Sequence, residues 1–296
     1  MLTEIFCDVD NFCKVFESCW EQRLLETGTV KRVKKSRLIM SEIMTIVIYF
    51  HFSKFRIFKD YYVNFICGSH HSAFPNLVSY NRFVELSQGI IVPLLFYLQT
   101  QRLGKITGIS FIDSTPLEVC HPRRIHSHRV LKGSAQRGKS SVGWFYGFKL
   151  HIVINDKGEL LSFNLTPGNV DDRNRDLIDK LTKDLFGKLF GDKGYISHDL
   201  FETLLQRGIE LITKIKKNMK NKLIPLMDKI FLRKRSLIET VNDELKNICQ
   251  VEHTRHRSSA SFLVNLISGF VAYTYLPKKP SLNLHWYDQN LPMVAI

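Results

Sequence analysis

The sequence has few cysteines, and their spacing argues against two common uses of this residue. Six cysteines are scattered over 296 residues, and none belongs to a Cys-x-x-Cys pair. Such pairs are the usual mark of a zinc site, so we expect no structural zinc. No disulfide framework is needed to explain them, which fits a reducing cytosol. The six are Cys7, Cys13, Cys19, Cys67, Cys120 and Cys249.

No apolar run is clearly long enough to span a membrane. Residues 260–276 form an uncharged segment of 17 residues, which is at the short limit for a membrane span, and they include Asn265, Ser268 and Gly269. We therefore predict a buried helix that packs on a sheet, and no membrane partner. The chain starts Met-Leu-Thr-Glu without a basic segment, so we expect no signal peptide and a cytoplasmic location.

Acidic residues are scarce relative to basic ones. Asp and Glu number 28 against 42 Lys and Arg, which gives a formal net charge of +14. An excess of this size predicts a polyanionic partner, and nucleic acid is the default interpretation. Charge alone does not distinguish DNA, RNA or an anionic membrane.

Two of the few acids follow short apolar segments. Residues 108–115 predict a buried strand that ends on Asp113, and residues 188–195 repeat the pattern with Asp192 before a glycine turn. The carboxyl ends of central strands are where α/β sheets place ligands. For Asp113 taken alone, a strand-ending residue that caps a turn is the simpler interpretation.

A third acid lies in a segment with helical spacing. In residues 235–246 the apolar positions follow one stripe, and Arg235, Glu239, Asn242 and Lys246 share the opposite one at about 100° per residue. Two strand-end carboxylates and one helical carboxylate between basic residues suit a pair of hard divalent cations that face a polyanion.

These three segments together resemble the catalytic signature of DDE transposases with an RNase H-like core, and most closely the IS982 family of insertion-sequence transposases. The resemblance extends from about residue 1 to residue 275. Arg235, Glu239 and Lys246 match the Arg-x3-Glu-x6-Lys part of a signature in related families. The tyrosine of that signature would fall at Leu232, so no tyrosine contact is implied, while the carboxylates are intact.

The resemblance implies a catalytic and metal-binding triad of Asp113, Asp192 and Glu239. It implies two Mg²⁺ ions per site, for which Mn²⁺ would substitute, and DNA partners in the form of terminal inverted repeats and target DNA. It also implies a homodimer on DNA, associated with the bacterial nucleoid when bound. Only 47 positions separate Asp192 from Glu239, so the large β-rich insertion of many DDE enzymes has no room.

The order of predicted elements is β-β-β-α-β-α-β-α after a mainly helical N-terminal region. We predict an α/β fold with an RNase H-like mixed five-stranded sheet flanked by helices. The predicted domains are a helical domain of residues 1–104, a catalytic domain of residues 105–275 and a tail of residues 276–296. The helical domain is predicted to bind DNA ends; a helical cap or a dimerisation surface is the alternative, and no recognition helix is identifiable.

Basic residues cluster near the candidate acids. The segment 121–143 has no acid, and its glycines and serines predict a flexible loop. Because it follows closely on Asp113, we predict phosphate contacts there rather than a merely solvated surface. A second basic tract covers residues 214–235. The predicted DNA-binding residues are Arg123, Arg124, Arg129, Lys132, Arg137, Lys139, Lys193, Arg235 and Lys246. For Lys193, an ion pair with a neighbouring acid is an equal alternative.

Two rival functions remain open at this stage. One is an RNase H-fold nuclease without strand transfer, and the other is a non-catalytic DNA-binding regulator derived from a transposase. Two other acids compete for the third position. Glu118 lies away from the predicted strand end, and Glu244 lies about 140° around the helix from Glu239.

Overall fold

In a computed structural model the chain forms two compact units. The structure describes residues 1–28, 36–140, 143–215, 219, 223–252, 256–282 and 293–295. The first unit consists of Met1–Arg102, Leu245–Val251 and Arg255–Tyr275, and the second of Leu103–Glu244, Glu252–Thr254 and Leu276–Ile296. The functional domains with bounds at 104 and 275 stay a prediction. Lys216, Lys217, Lys220 and Lys222 of the second basic tract lie outside the described residues.

The first unit is helical, as its apolar spacing predicts. Aromatic rings in tilted and edge-to-face contact build much of its core: the ring centroids of Tyr62 and Phe83 lie 4.5 Å apart and those of Phe50 and Tyr61 5.3 Å apart. Its helices are α1 (Leu2–Glu26), α2 (Met40–Phe50), α3 (Phe58–Asp60), α4 (Tyr80–Gln88), α5 (Ile91–Tyr97) and α10 (Ser259–Thr274), with π-helical turns at Tyr61–Ser69 and Leu98–Arg102.

Helix α10 does not pack on the sheet, contrary to the prediction for residues 260–276. It contacts α2, α4 and α5 within the first unit. Small residues of α10 permit close contacts in this unit: Ser268 Oγ lies 2.9 Å from His51 Nε2, and Gly269 lies close to Val251. In the described part of the chain no single helix is long and apolar enough to cross a membrane. Helix α4 and the segment Ile91–Arg102 together have the length and composition of a span, but they are bent relative to each other.

The second unit contains a mixed sheet, and the predicted α/β fold is confirmed. Its strands are β1 (Ile109–Cys120), β2 (Gln136–Lys139), β3 (Trp144–Asn155), β4 (Leu160–Pro167), β5 (Gly187–Gly191) and β6 (Ile209–Thr213). The order is β2-β3-β1-β5-β6, and β4 pairs with β3 beyond the short β2. Strands β1, β5 and β6 run parallel, while β2, β3 and β4 pair antiparallel. The five predicted strands are present, and β2 is an addition.

Helices cover both faces of this sheet. Successive strand residues point to opposite faces, so neighbouring residues of one strand contact different helices. On one side Ile112 belongs to an apolar cluster with Leu177 and Leu200 of the helices α6 (Arg175–Leu181) and α7 (His198–Gln206). On the other side the ring of Phe111 stacks on that of Phe190, which also contacts the tilted ring of Phe231. Phe231 belongs to α8 (Leu226–Arg233), and α9 (Ser236–Asp243) contacts β1.

Two predictions about strands and loops are wrong in detail. Strand β1 does not end near Asp113 but continues to Cys120, because its second half pairs with β3 as far as Tyr146. Residues 121–143 are not an irregular loop throughout: they contain a 3-10 turn at Pro122–Ser127 and strand β2. The predicted tail contributes β8 (Met293–Ala295), which pairs with β7 (Leu223–Pro225).

Helix α6 is capped by Asn174, although Asp171 or Asp172 is the simpler interpretation of the sequence. The Asn174 side chain accepts a hydrogen bond from the Leu177 backbone N–H at 3.0 Å. Asp171 is instead held by Arg173, through the backbone N–H and the guanidinium.

We expect Asn174→Ala to lower the free energy of unfolding by about 1 kcal/mol, since the cap of α6 would be lost. Asp171→Ala is the matched control, and its exposed ion pair with Arg173 should contribute less than about 0.5 kcal/mol. Urea unfolding of both variants measures the difference. A larger loss for Asp171→Ala than for Asn174→Ala would mean that Asp171, and not Asn174, supports the start of this helix.

Candidate active site

Strand pairing brings Asp113 and Asp192 to the same edge of the sheet. The parallel strands β1 and β5 are in register from Ile109–Lys188 to Phe111–Phe190. Each acid lies two residues beyond the last of these pairs. The other edge of β1 continues to pair with β3, where Asp113 is opposite Ile152. Asp113 therefore lies where β5 ends and β1 loses one of its two neighbours.

Asp113 is held by two side chains from the segment around α9. Its Oδ1 accepts a hydrogen bond from Arg235 at 3.2 Å, and its Oδ2 accepts one from the Asn242 amide at 3.1 Å. Burial raises the pKa of Asp113 to about 6, against the opposing effect of Arg235, and the nearby Glu239 carboxylate raises it further. The site thus keeps a carboxyl group at a higher pKa than a solvated one.

Arg235 links two of the three predicted acids. Its guanidinium donates to Asp113 and, at 3.1 Å, to Glu239 Oε1 one helical turn further on. The Arg235 side chain is only 15% exposed, whereas that of Glu239 is 59% exposed. This residue was predicted to hold DNA phosphates; in the protein alone it neutralises the Asp113–Glu239 pair.

Asp192 lies at the start of a short 3-10 turn, Lys193–Tyr195, and is exposed. Its Oδ1 accepts a hydrogen bond from the Lys193 backbone N–H at 2.6 Å. Within the described ranges, no three His, Cys, Asp or Glu side chains form a cluster arranged to hold a metal ion. The fold therefore brings Asp113 and Glu239 together through Arg235, while Asp192 shares their sheet edge without joining their hydrogen-bond network.

The competing acids do not take part in this network. Glu118 is exposed further along β1, where its backbone N–H donates to Glu252. Glu244 begins a π-helical segment, Glu244–Ile248, and burial together with Asp243 raises its pKa. Lys246 lies in the same segment, so the regular helical spacing that predicted its alignment with Glu239 ends before it.

Seven of the nine predicted basic residues divide into two groups, and Arg235 and Lys246 are described above. Arg137, Lys139 and Lys193 line an open groove of about 720 Å³, and Lys193 directly follows Asp192 in the chain. The remaining residues of the 121–143 segment are exposed but do not line this groove; they are Arg123, Arg124, Arg129 and Lys132. The phosphate contacts predicted for this segment stay a prediction.

Sequence analysis assigned no site role to Asn242, Lys149 or His151. The helical stripe that Asn242 shares with Glu239 was a sequence signal that could have placed it in the site. Lys149 donates to Asp172 at 3.1 Å and to the Val170 carbonyl at 2.8 Å beside the groove. His151 is fully buried next to them, and burial lowers its pKa to about 4. No sequence pattern pointed to the last two.

The fold and the acids define an α/β domain with carboxylates gathered at one edge of an RNase H-like sheet. A sequence model of the transposase DDE domain matches residues 103–259, which is more than half of the chain. The chain therefore belongs to the transposase DDE domain family.

Solved structures of transposases are similar to this chain at low sequence identity. A piggyBac transposase synaptic complex with hairpin DNA is 12% identical with a TM-score of 0.47, over 92% of this chain and 72% of that one. The Mos1 strand transfer complex is 12% identical with a TM-score of 0.24, over 87% of this chain and 83% of that one. No curated protein matches the chain.

Proposed function

We propose that this protein is an insertion-sequence transposase of the IS982 family that binds the ends of its element, cuts them and joins them to target DNA. The proposal rests on Asp113 and Asp192, each two residues beyond the last parallel pair of β1 and β5, and on Glu239, which is tied to Asp113 through Arg235. Membership of the transposase DDE domain family supports it. The proposed partners are the terminal inverted repeats, target DNA and, when DNA is bound, a second copy of the chain.

The available donors fit hard divalent cations such as Mg²⁺ or Mn²⁺, which prefer oxygen ligands. Asp113, Asp192 and Glu239 would hold the ions, and the last two are exposed and able to reorient. Ions held there would supply activation of the attacking hydroxyl, of water or of a 3′ end, and charge stabilisation of the leaving oxygen. Because these donors are not assembled in advance, we expect metal to order the site.

Side chains of the protein itself orient Asp113, offset the charge of the acids and attract DNA phosphates. Asn242 fixes one oxygen of Asp113 and thereby sets which lone pairs face the sheet edge. Arg235 offsets the charge of Asp113 and Glu239. Lys193, which follows Asp192 in the chain, and Arg137 place positive charge in the groove, where a DNA phosphate would be attracted.

The test is a product analysis with DNA that carries the flanking end of the element, a plasmid target, and Mg²⁺ or Mn²⁺. Joined DNA is the expected product. Hydrolysed ends without joining would favour an RNase H-fold nuclease. Binding without cleavage, for a protein that is folded and has metal, would favour a DNA-binding regulator.

Asn242→Ala is expected to slow cleavage about 10-fold, because a hydrogen bond to a charged group contributes roughly 1.5–3 kcal/mol. With this donor lost, the pKa of Asp113 should rise further, so the midpoint of the pH–rate profile should move upward. Thr240→Ala on the exposed side of α9 is the control and should leave both quantities unchanged. A slower rate without any shift of the midpoint would contradict a positioning role through Asp113.

A further inference from the structure

A β-hairpin beside the candidate active site carries an exposed tryptophan at its tip. Strands β2 and β3 pair antiparallel, with Lys139 opposite Trp144 and Arg137 opposite Tyr146. Residues directly opposite each other in such a pair point to the same face. The Trp144 side chain is 62% exposed, and the Lys139 ammonium lies 5.8 Å from its ring centroid.

The hairpin is anchored to the rest of the sheet by close backbone packing. A Cβ atom added at Gly138 would collide with the Gly168 carbonyl oxygen and with the Phe145 ring. Gly168 follows β4 directly, so β2 is pressed against the end of that strand. Trp144 is therefore presented from a fixed scaffold, and a rigid aromatic ring loses little entropy when a ligand stacks on it.

The groove that Trp144 lines is positively charged. Its two acids are already paired, Asp171 with Arg173 and Asp172 with Lys149. Arg137 and Lys193 are exposed and form no ion pair with the described residues. Lys193 and Gly194 line the groove and directly follow Asp192 in the chain, so a strand lying in it would pass near that candidate acid.

We propose that this groove binds an unpaired segment of a DNA strand, with a base stacked on Trp144 and phosphates on Arg137, Lys139 and Lys193; the proposal rests on the proposed transposase function. An exposed aromatic ring among cations is the usual platform for single-stranded nucleic acid. Within a duplex both faces of a base are covered, so only an unpaired or extruded base can use the Trp144 ring.

The test compares two DNA probes in metal-free buffer. One is a blunt duplex carrying the flanking end of the element, and the other is the same duplex with a short single-stranded extension that contains 2-aminopurine. Wild-type protein should bind the extended probe about 10-fold more tightly and quench the 2-aminopurine, as expected for one stacked base. Trp144→Leu should lose this preference and still bind the blunt duplex like the wild type.

Two controls make the result decisive. Trp144→Phe should keep part of the preference because it keeps a ring, and Trp20→Phe, in the first unit, should keep all of it. Equal losses on both probes in Trp144→Leu would mean a duplex contact and overturn the proposal, as would a wild type without preference. A change only in self-association, measured by sedimentation, would assign Trp144 to a contact between copies and also overturn it. Failure of wild-type protein to bind either probe would refute the proposed function itself.

Discussion

Asp113→Asn and Asp192→Asn are each expected to lower DNA cleavage and joining on the order of 10³-fold. Each amide removes a negative charge from the sheet edge where we place the metal ions, and metal-based charge stabilisation supplies several kcal/mol to a phosphoryl displacement. Binding of element ends should remain, since neither acid is one of the basic residues that line the groove. Single-turnover cleavage with saturating protein measures the effect without interference from DNA affinity.

The third acid is tested by a matched pair on neighbouring turns. Glu239→Gln should reduce cleavage to a similar extent, whereas Glu244→Gln and the exposed Glu118→Gln should retain most of it. The reason is geometric: Glu239 shares Arg235 with Asp113, and the other two make no contact with that network. If Glu244→Gln were the inactive variant, the assignment of Glu239 would be wrong.

The features that the sequence predicts well are those encoded by local patterns. The alternation of residues 144–154 predicts β3, the turn at residues 155–158 predicts a hairpin into β4, and the short apolar run before Asp192 predicts β5. The structure contains all three strands. Register then follows from topology, because parallel neighbours bring their carboxyl ends to one edge. This is why two acids almost 80 positions apart were predicted to meet there.

The features that it did not predict depend on tertiary contacts. Strand β1 runs past Asp113 because β3 offers partners as far as Tyr146, and β2 forms because glycines at 138 and 168 permit close packing. Helix α10 joins the helical unit through His51 and not the sheet. The contacts of Asn242 and Arg235 with Asp113 span more than 120 positions, a distance at which spacing rules carry no information.

In metal-free buffer at pH 8, Asp113→Asn is expected to unfold with a free energy up to about 3 kcal/mol higher than wild type, although it is inactive. The folded pKa of Asp113 is about 6, whereas an unfolded aspartate has a pKa of about 3.9. The folded state therefore binds this proton more tightly. The stability that it confers is complete below about pH 4 and is lost as pH rises through the folded pKa.

The amide avoids this loss and has partners available. Arg235 can donate to its oxygen, and the Asn242 amide can turn so that its Oδ1, which is buried without a partner in the described structure, accepts the new N–H. Urea unfolding from pH 4 to pH 8 should show the two proteins diverging only above about pH 4. Glu118→Gln, an exposed change on the same strand, should follow the wild type throughout.

Added Mg²⁺ should reverse the order of the two proteins at pH 8. A cation that binds only the folded state stabilises it by mass action, and wild type keeps the carboxylate that binds it. Asp113→Asn should gain little. If Asp113→Asn is more stable than wild type and gains as much stability from Mg²⁺, the stability cost of the Asp113 carboxylate is unrelated to metal binding. In that case the raised pKa would reflect burial alone, and Asp113 would lose its proposed role as a ligand.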